Sequence, residues 1–233
     1  MLELLSPKAL AASPEHKRLK PSRTEILSYL LGIQKTKPLP GAGWNYALDH
    51  AWLLGKIERH LIGRKSPLIL DVGCGGSVFH LWLERELRAG IVGMDRGPRS
   101  PIVDIPADIR VFDISQPAFD LIFWCSSIEH NPPDVQRQCV EASLRLLRPG
   151  GVFLATFSAW PTSRYYAPSE QWNLSPPDAE QVFGVPWSLN HPYFADTLLE
   201  YRADYMSLHS RHRDRYGTDD YGFLVGGAEV VKK

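Results

Sequence analysis

Apolar residues in this chain fall into short unbroken runs that alternate with longer stretches of helical period. Trp44 to Leu61 places Leu48, Trp52, Ile57 and Leu61 near helical spacing and predicts an amphipathic helix. Leu68 to Val72 is a compact apolar run ended by glycines, the pattern of a strand buried on both faces. Ser77 to Arg88 returns to helical period through Val78, Leu81, Trp82 and Leu87, and Ile91 to Met94 reads as a second buried strand ending at Asp95. A connection rich in proline (Pro98, Pro101, Pro106) leads to a third short strand at Arg110 to Phe112, and FDLIFW at Phe119 to Trp124 is a fourth. Residues 134 to 147 form a helix with Val135, Cys139, Leu144 and Leu147 on its apolar stripe, stopped by RPGG, and Val152 to Phe157 is a fifth strand.

The flanks are less regular. Residues 1 to 22 are polar and carry Pro7, Pro14 and Pro21, so they read as a loosely ordered lead-in, followed by a short helix at Thr24 to Leu31 with Ser22 as its cap. Beyond the fifth strand come a loop rich in Trp, Tyr and Pro (158 to 175) and a helix near Pro177 to Phe183. A sixth strand is expected at Val185 to Leu189, a long polar helix at Pro192 to Tyr216 and a last strand at Gly222 to Val231. Strand and helix alternate from 68 to 157. The expected fold is therefore α/β, a Rossmann-like doubly wound, mostly parallel seven-stranded sheet with helices on both faces. Helices precede it, and a helical insertion comes before its last strand.

Composition narrows the function. The 26 basic and 26 acidic residues cancel, which removes the electrostatic footprint of a nucleic-acid binder. The basic clusters at His16 to Lys20 and Arg211 to Arg215 are short enough to be solvated helix faces. No run approaches the roughly 18 apolar residues of a membrane span, and the N-terminus lacks a secretory pattern. Cys74, Cys125 and Cys139 are odd in number and follow no metal spacing, so they read as free thiols in a reducing compartment, and a cytoplasmic location is expected.

LDVGCGGS, residues 70 to 77, joins the first buried strand to its helix. Glycine at such a turn lets backbone approach a ligand without a β-carbon in the way. Asp95, 20 residues after Gly75 and directly after IVGM, stands where an acidic side chain bonds ribose hydroxyls. A dinucleotide fingerprint needs a third glycine, but Val78 occupies that place, which argues against a nicotinamide oxidoreductase.

The same turn resembles motif I of the class I S-adenosylmethionine (SAM)-dependent methyltransferases, matching it at Asp71, Gly73 and Gly75, with Ser77 in place of the last glycine. GMD at the second strand, FDIS at 112 to 115, FDLIFWCSSIEH at 119 to 130 and LRLLRPGGVFLATF at 144 to 157 follow in the family's order. The resemblance implies SAM as cofactor and S-adenosylhomocysteine as product. It implies that Asp71 meets the ligand's amino group and that the backbone of Gly73, Cys74 and Gly75 approaches its methionine part and ribose. Asp95, with Arg96 beside it, would take the ribose diol. Asp113 and Ile114 would meet adenine, and Trp124 and Cys125 would border the reacting methyl. Tyr46 belongs to a helix that in similar enzymes covers the cofactor. Residues 1–62 are thus a lead-in and lid, and 63–233 a SAM-binding core in which 158–216 contributes the acceptor site.

Methyl transfer needs alignment and a way to remove the acceptor's proton. His130, in SSIEH just past the fourth strand, is the candidate base, with His191 as a second, while Glu129 reads as a local hydrogen-bonding residue. Trp160, Tyr165, Tyr166 and Trp172 offer flat faces with polar handles for a sugar ring or planar metabolite. His209 and His212, three apart on a polar helix, lack the carboxylate and third ligand of a metal site, and none is expected. NPPD at 131 to 134 is similar to the motif of DNA adenine methyltransferases, but CSSIEH fills the motif's place and Asp134 stands where an aromatic is required. The expected partner is a small-molecule acceptor, neither nucleic acid nor membrane, with a homodimer left open. The expected activity, in small-molecule biosynthesis, is O-methylation of a sugar-like or secondary-metabolite hydroxyl. N-methylation of a small amine and a non-catalytic SAM-fold binding module are the alternatives.

Overall fold

The computed structural model describes residues 1–5, 13–19, 44–87, 89–97, 101–188 and 224–233. The helices expected at 24–31 and 192–216, with His191, His209 and His212, lie outside the described residues. In chain order the strands are β1 (Leu2–Leu4), β2 (Leu68–Val72), β3 (Gly90–Asp95), β4 (Ile105–Pro106), β5 (Phe119–Trp124), β6 (Leu147–Ala159), β7 (Arg164–Tyr166), β8 (Gln171–Asn173) and β9 (Leu224–Val231). The helices are α1 (Pro14–Leu19), α2 (Trp44–Leu61), α3 (Val78–Leu87), α4 (Pro133–Leu146) and α5 (Pro176–Phe183).

Seven strands form one sheet in the order β1-β9-β6-β5-β2-β3-β4, and β7 and β8 form a separate hairpin. The run from β4 to β6 is parallel, whereas β9 lies antiparallel between β6 and β1. This is the Rossmann-like, doubly wound architecture expected. All six residues of β5 are buried, because helices cover both faces. Leu121 and Phe123 pack with Ile69, Leu154 and the α2 residues Leu53, Leu54 and Ile57. Ile122 and Trp124 point the other way, to Leu70, Phe153, Val140 of α4 and Phe183 of α5. Each such buried side chain contributes about 1.5–3 kcal/mol.

Helix ends follow local chemistry. Pro133 opens α4, where a missing N–H costs nothing, so NPPD is the entry to a helix. Ser175 caps α5 by accepting from the Asp178 N–H, and Gly184 closes it in the left-handed conformation (φ 67°).

Two members of the sheet differ from expectation. Arg110 to Phe112 is not a strand. The Asp108 carboxylate accepts the Arg110 N–H (2.9 Å) and its carbonyl accepts those of Val111 and Phe112 (both 3.1 Å), closing a turn instead. The edge strand is β4, where Pro106 is tolerated because one side of an edge needs no donor. At the opposite edge, residues 185–188 contribute only a bridge between Trp187 and Leu2, with Pro186 unable to donate. The edge strand there is β1, inside the stretch read as a loose lead-in. Glu3 accepts from Trp52 Nε1 (2.9 Å) and pairs with Lys56 (2.8 Å), and Lys56 and His60 both reach Glu229 on β9 (2.7 and 2.6 Å). These half-buried charges fasten β1 and β9 to α2. The fifth strand also begins earlier than expected, since LRPGG extends into β6 instead of merely stopping α4.

Candidate active site

The C-terminal ends of β2, β3, β5 and β6 share one rim of the sheet. At β2 the chain turns through Gly73 (φ 70°) and Gly75 (φ 51°), both left-handed. The Gly73 and Cys74 N–H groups donate to the Met94 carbonyl (2.7 and 3.2 Å), tying the turn to β3. A β-carbon at Gly73 would lie 2.6 Å from Ser127 Oγ, so only glycine fits. At Gly75 and Gly76 a β-carbon would meet nothing within 4 Å, so the turn is open on that side. Gly75 N–H donates to Asp95 Oδ2 (3.0 Å), and Oδ1 accepts no hydrogen bond from the described residues. An open backbone turn beside a half-used carboxylate suits a ligand carrying a diol.

Other residues singled out by the sequence are placed as follows. Asp71 is buried, and one of its oxygens faces His80 Nδ1 of α3 at 3.2 Å. Burial raises its pKa, and the histidine opposes the rise. Cys74 supplies backbone to the turn while its thiol lies toward the Ile102 carbonyl, pushed up to about 12 by burial. Arg96 donates to Asn131 Oδ1, clamping the end of β3 to the NPPD loop. Asp113 is exposed and accepts the Ile114 N–H (2.9 Å). Trp124 is buried, and its indole donates to Ser143 on α4 (3.2 Å) while its ring passes beneath the turn, 3.8 Å from where a β-carbon at Gly73 would lie. Tyr46 lies in the first turn of α2, with its side chain outside the described residues.

Between β5, β6, α2 and β8 sits a buried polar cluster. Ser126 follows β5 with a left-handed φ of 44°, costly for a non-glycine residue. Its N–H donates to Thr156 Oγ1 (3.0 Å) and its hydroxyl to Asp49 Oδ2 (2.7 Å). Ser158 donates to Glu129 Oε1 (3.4 Å), and Gln171 Nε2 donates to Ser158 (2.7 Å) and to Asn173 Oδ1 (3.3 Å). Asp49 is 0 % exposed and Glu129 3 %, yet Asp49 Oδ1 and Glu129 Oε2 have no hydrogen-bond partner. Burial lifts Asp49 to about 8, with Glu129 adding to the rise, and lifts Glu129 to about 7. Cys125 lies among them. Its thiol is raised first by burial and then by Asp49, Asp71 and Glu129.

His130 is not part of this cluster. It is exposed, and its Nδ1 bonds the Glu170 carbonyl (3.0 Å), because the short 3-10 turn at Ile128–His130 points Glu129 inward and its neighbour outward. The aromatics divide by strand face. Tyr165 and Trp172 pair across the hairpin, 5.3 Å apart, and Tyr165 is half exposed. Gln171 and Asn173 occupy the opposite, buried face of β8. Trp160 lies under the Arg164 guanidinium (4.3 Å), and Tyr166 is buried.

Asp49 and His80 escaped the sequence reading. His50 is buried, stacks on Phe79 at 4.3 Å and is pushed down to about 3, so it is neutral. The available signal was a charged residue at a helix position whose neighbours, Trp52 and Leu53, belong to the apolar face. Among the described residues no group of His, Cys, Asp and Glu could hold a metal ion, and no helix is long and apolar enough to cross a membrane.

Residues 70–155 match a family described as "Methyltransferase domain". No curated protein matches the chain. Among solved structures, phosphoethanolamine N-methyltransferase 2 of Haemonchus contortus, crystallised with SAM, is 17 % identical with a TM-score of 0.55, and a second structure of it is 15 % identical with a TM-score of 0.51. The SAM-bound alignment covers 98 % of this chain and 60 % of that one. A putative sarcosine dimethylglycine methyltransferase from Galdieria sulphuraria is 14 % identical (TM-score 0.54), with 80 % and 85 % of the two chains covered. The 4+2 cyclase SpnF is 16 % identical (TM-score 0.54), with 82 % and 84 % covered. These structures share the fold, and their differing activities leave the chemistry to the site. The domain match lies on the glycine turn, the acidic end of β3 and the rim that both occupy, so the core of the chain, residues 70–155, is similar to the methyltransferase domain.

Proposed function

We propose that this protein transfers a methyl group from SAM to a small molecule whose hydroxyl or amine is held in the polar cluster beyond β5 and β6. The observation that carries the reading is the adjacency of two features on one rim: the open glycine turn with Asp95, and a buried polar cluster with unmet hydrogen-bonding capacity. Asp95 Oδ1 would take the ribose diol while Oδ2 keeps the Gly75 N–H in place. Asp71, oriented by His80, would face the cofactor's amino group. Arg96, directly after β3, and Asp113 and Ile114, on the connection between β4 and β5, would reach adenine. The N-terminal half of α2 would serve as a lid over this region.

Bound SAM supplies a methyl group already activated for displacement, so the chain must position the acceptor, exclude water and accept a proton. His130 is turned away and tied to a carbonyl. Asp49 and Glu129 are buried at the rim and titrate near neutrality, which suits proton acceptance. They replace the histidine as candidate bases. For either kind of acceptor the inner face of β8, with Gln171 and Asn173, is better placed than Tyr165 and Trp172 to contact it.

Calorimetry with SAM and S-adenosylhomocysteine, followed by a screen of acceptors with methyl-labelled SAM, tests the reading. Binding of both compounds is expected, and Asp95→Ala should weaken it by roughly 10- to 100-fold, the value of hydrogen bonds to a charged group. Absence of SAM binding, or an Asp95→Ala protein that binds as tightly as the parent, would overturn it.

A further inference from the structure

We infer that Asp49 and Glu129 form a dicarboxylate seat that receives the acceptor as an ammonium ion, so that the methyl group goes to nitrogen. The inference rests on the methyltransferase reading above and names its acceptor class. Two carboxylates from separate elements, α2 and the turn after β5, converge on the same three hydroxyl residues, Ser126, Thr156 and Ser158. Among the described residues no Lys, Arg or His forms an ion pair with either. Asp71, the third carboxylate bearing on Cys125, already faces His80. A buried carboxylate without a counter-ion is costly, and so is a buried oxygen without a donor. Here both deficits fall on the same two residues.

Without an acceptor Asp49 keeps its proton, and a partner that brings positive charge and several donors lets both carboxylates ionise and fills their unmet oxygens. An ammonium group has three N–H donors and no lone pair. A hydroxyl has one donor and would turn its own lone pairs toward carboxylate oxygens. Asp49 Oδ1 and Glu129 Oε2 can each accept one ammonium N–H while their other oxygens keep Ser126 and Ser158.

The same pair solves the chemical difficulty of a protonated amine, which has no free electron pair. One carboxylate takes a proton from the ammonium, and the freed nitrogen pair forms a bond to the methyl carbon. The carbon–sulfur bond breaks with its electrons going to sulfur, leaving a neutral thioether. The new methylammonium keeps the positive charge beside the second carboxylate, which is still ionised. The proton on the first carboxylate passes to water when the product leaves. Among the described residues, the titratable groups that bear on the pair are Cys125 and the two carboxylates themselves.

The test uses the full chain saturated with S-adenosylhomocysteine, and ethanolamine and benzylamine paired with ethylene glycol and benzyl alcohol. Both amines are expected to raise the melting temperature and both alcohols to leave it unchanged. The response should vanish in Asp49→Asn and Glu129→Gln, with S-adenosylhomocysteine affinity kept within about threefold. With labelled SAM, methyl should enter a mixed amine pool and not a matched alcohol pool, and kcat/KM should fall at least 100-fold in either variant. Equal responses to amines and alcohols, no response to either, or a response that survives both substitutions would overturn the inference. So would loss of SAM affinity in the variants, which would assign the pair to the cofactor. Failure of the parent protein to bind S-adenosylhomocysteine at all would instead overturn the methyltransferase reading, and the two failures are distinguishable in the same experiment.

Discussion

Replacing Asp49 with Asn should make the protein more stable, and increasingly so as the pH rises. Asp49 is fully buried, and its carboxyl is raised from an ordinary 3.8 to about 8, chiefly by desolvation and then by the charge of Glu129. The native state therefore holds a proton that the unfolded chain has released between about pH 4 and pH 8. Stability associated with this group is fully present below the unfolded value and is lost as pH rises through the folded one. At about 1.36 kcal/mol per pH unit the window corresponds to a ceiling of roughly 5 kcal/mol. Water reaching the rim and relaxation of Glu129 reduce this, so a gain of about 2–3 kcal/mol is expected at pH 8 and close to none at pH 4. Asn keeps the shape, and its carbonyl can still accept from the Ser126 hydroxyl, so the comparison isolates the charge. Urea denaturation of both proteins at pH 4, 6 and 8 measures it directly, and at pH 8 the melting temperature should rise by about 4–10 °C. Parallel stability curves across that range would refute the claim that Asp49 is a desolvated carboxyl without a counter-ion.

Two further outcomes separate the residues at the rim. His130→Ala removes an exposed ring bonded to a carbonyl outside the cluster and should leave the rate of methyl transfer within about threefold in a labelled-SAM assay, whereas a large loss would return the proton-accepting role to the histidine. Gly73→Ala must place a β-carbon 2.6 Å from Ser127 Oγ on a backbone with φ 70°, and should lower stability by about 1–3 kcal/mol together with SAM affinity. Ser127→Gly in the same chain should recover part of that loss, since it removes the collision but not the backbone cost. Melting curves and calorimetry on the single and double variants check both statements.

Much of the framework was legible from local pattern. The strand 68–72, its glycine turn, the helix at 133–146 and the acidic end of β3 are specified by residues within a few positions of one another. Apolar runs, caps, and prolines and glycines at fixed offsets act through nearest-neighbour sterics and hydrogen bonds. The alternation of those elements was enough to imply a parallel, doubly wound sheet, and the ordered motif blocks implied its cofactor. Local reasoning failed at the sheet's edges. Leu2–Leu4 is an unremarkable three-residue run until β9, more than 200 residues away, offers it an unpaired edge and α2 supplies Lys56 for Glu3. Arg110 to Phe112 had strand-like composition, but one carboxylate and one carbonyl of Asp108 captured its backbone.

The acceptor region shows the same division. Aromatic residues drew attention to the loop 158–175, yet its fold into a hairpin gives Tyr165 and Trp172 one face and Gln171 and Asn173 the buried one. Glu129 and His130 are neighbours in sequence, and a single 3-10 turn sends one inside and the other out. What the amino-acid order determined alone was the central strands and helices and the glycine turn, because those depend on contacts close along the chain. Only the tertiary structure decided which carboxylates lose their water and meet. Desolvation is a property of everything packed around a group, and Asp49 and Glu129 acquire it from strands and helices distributed over most of the described chain.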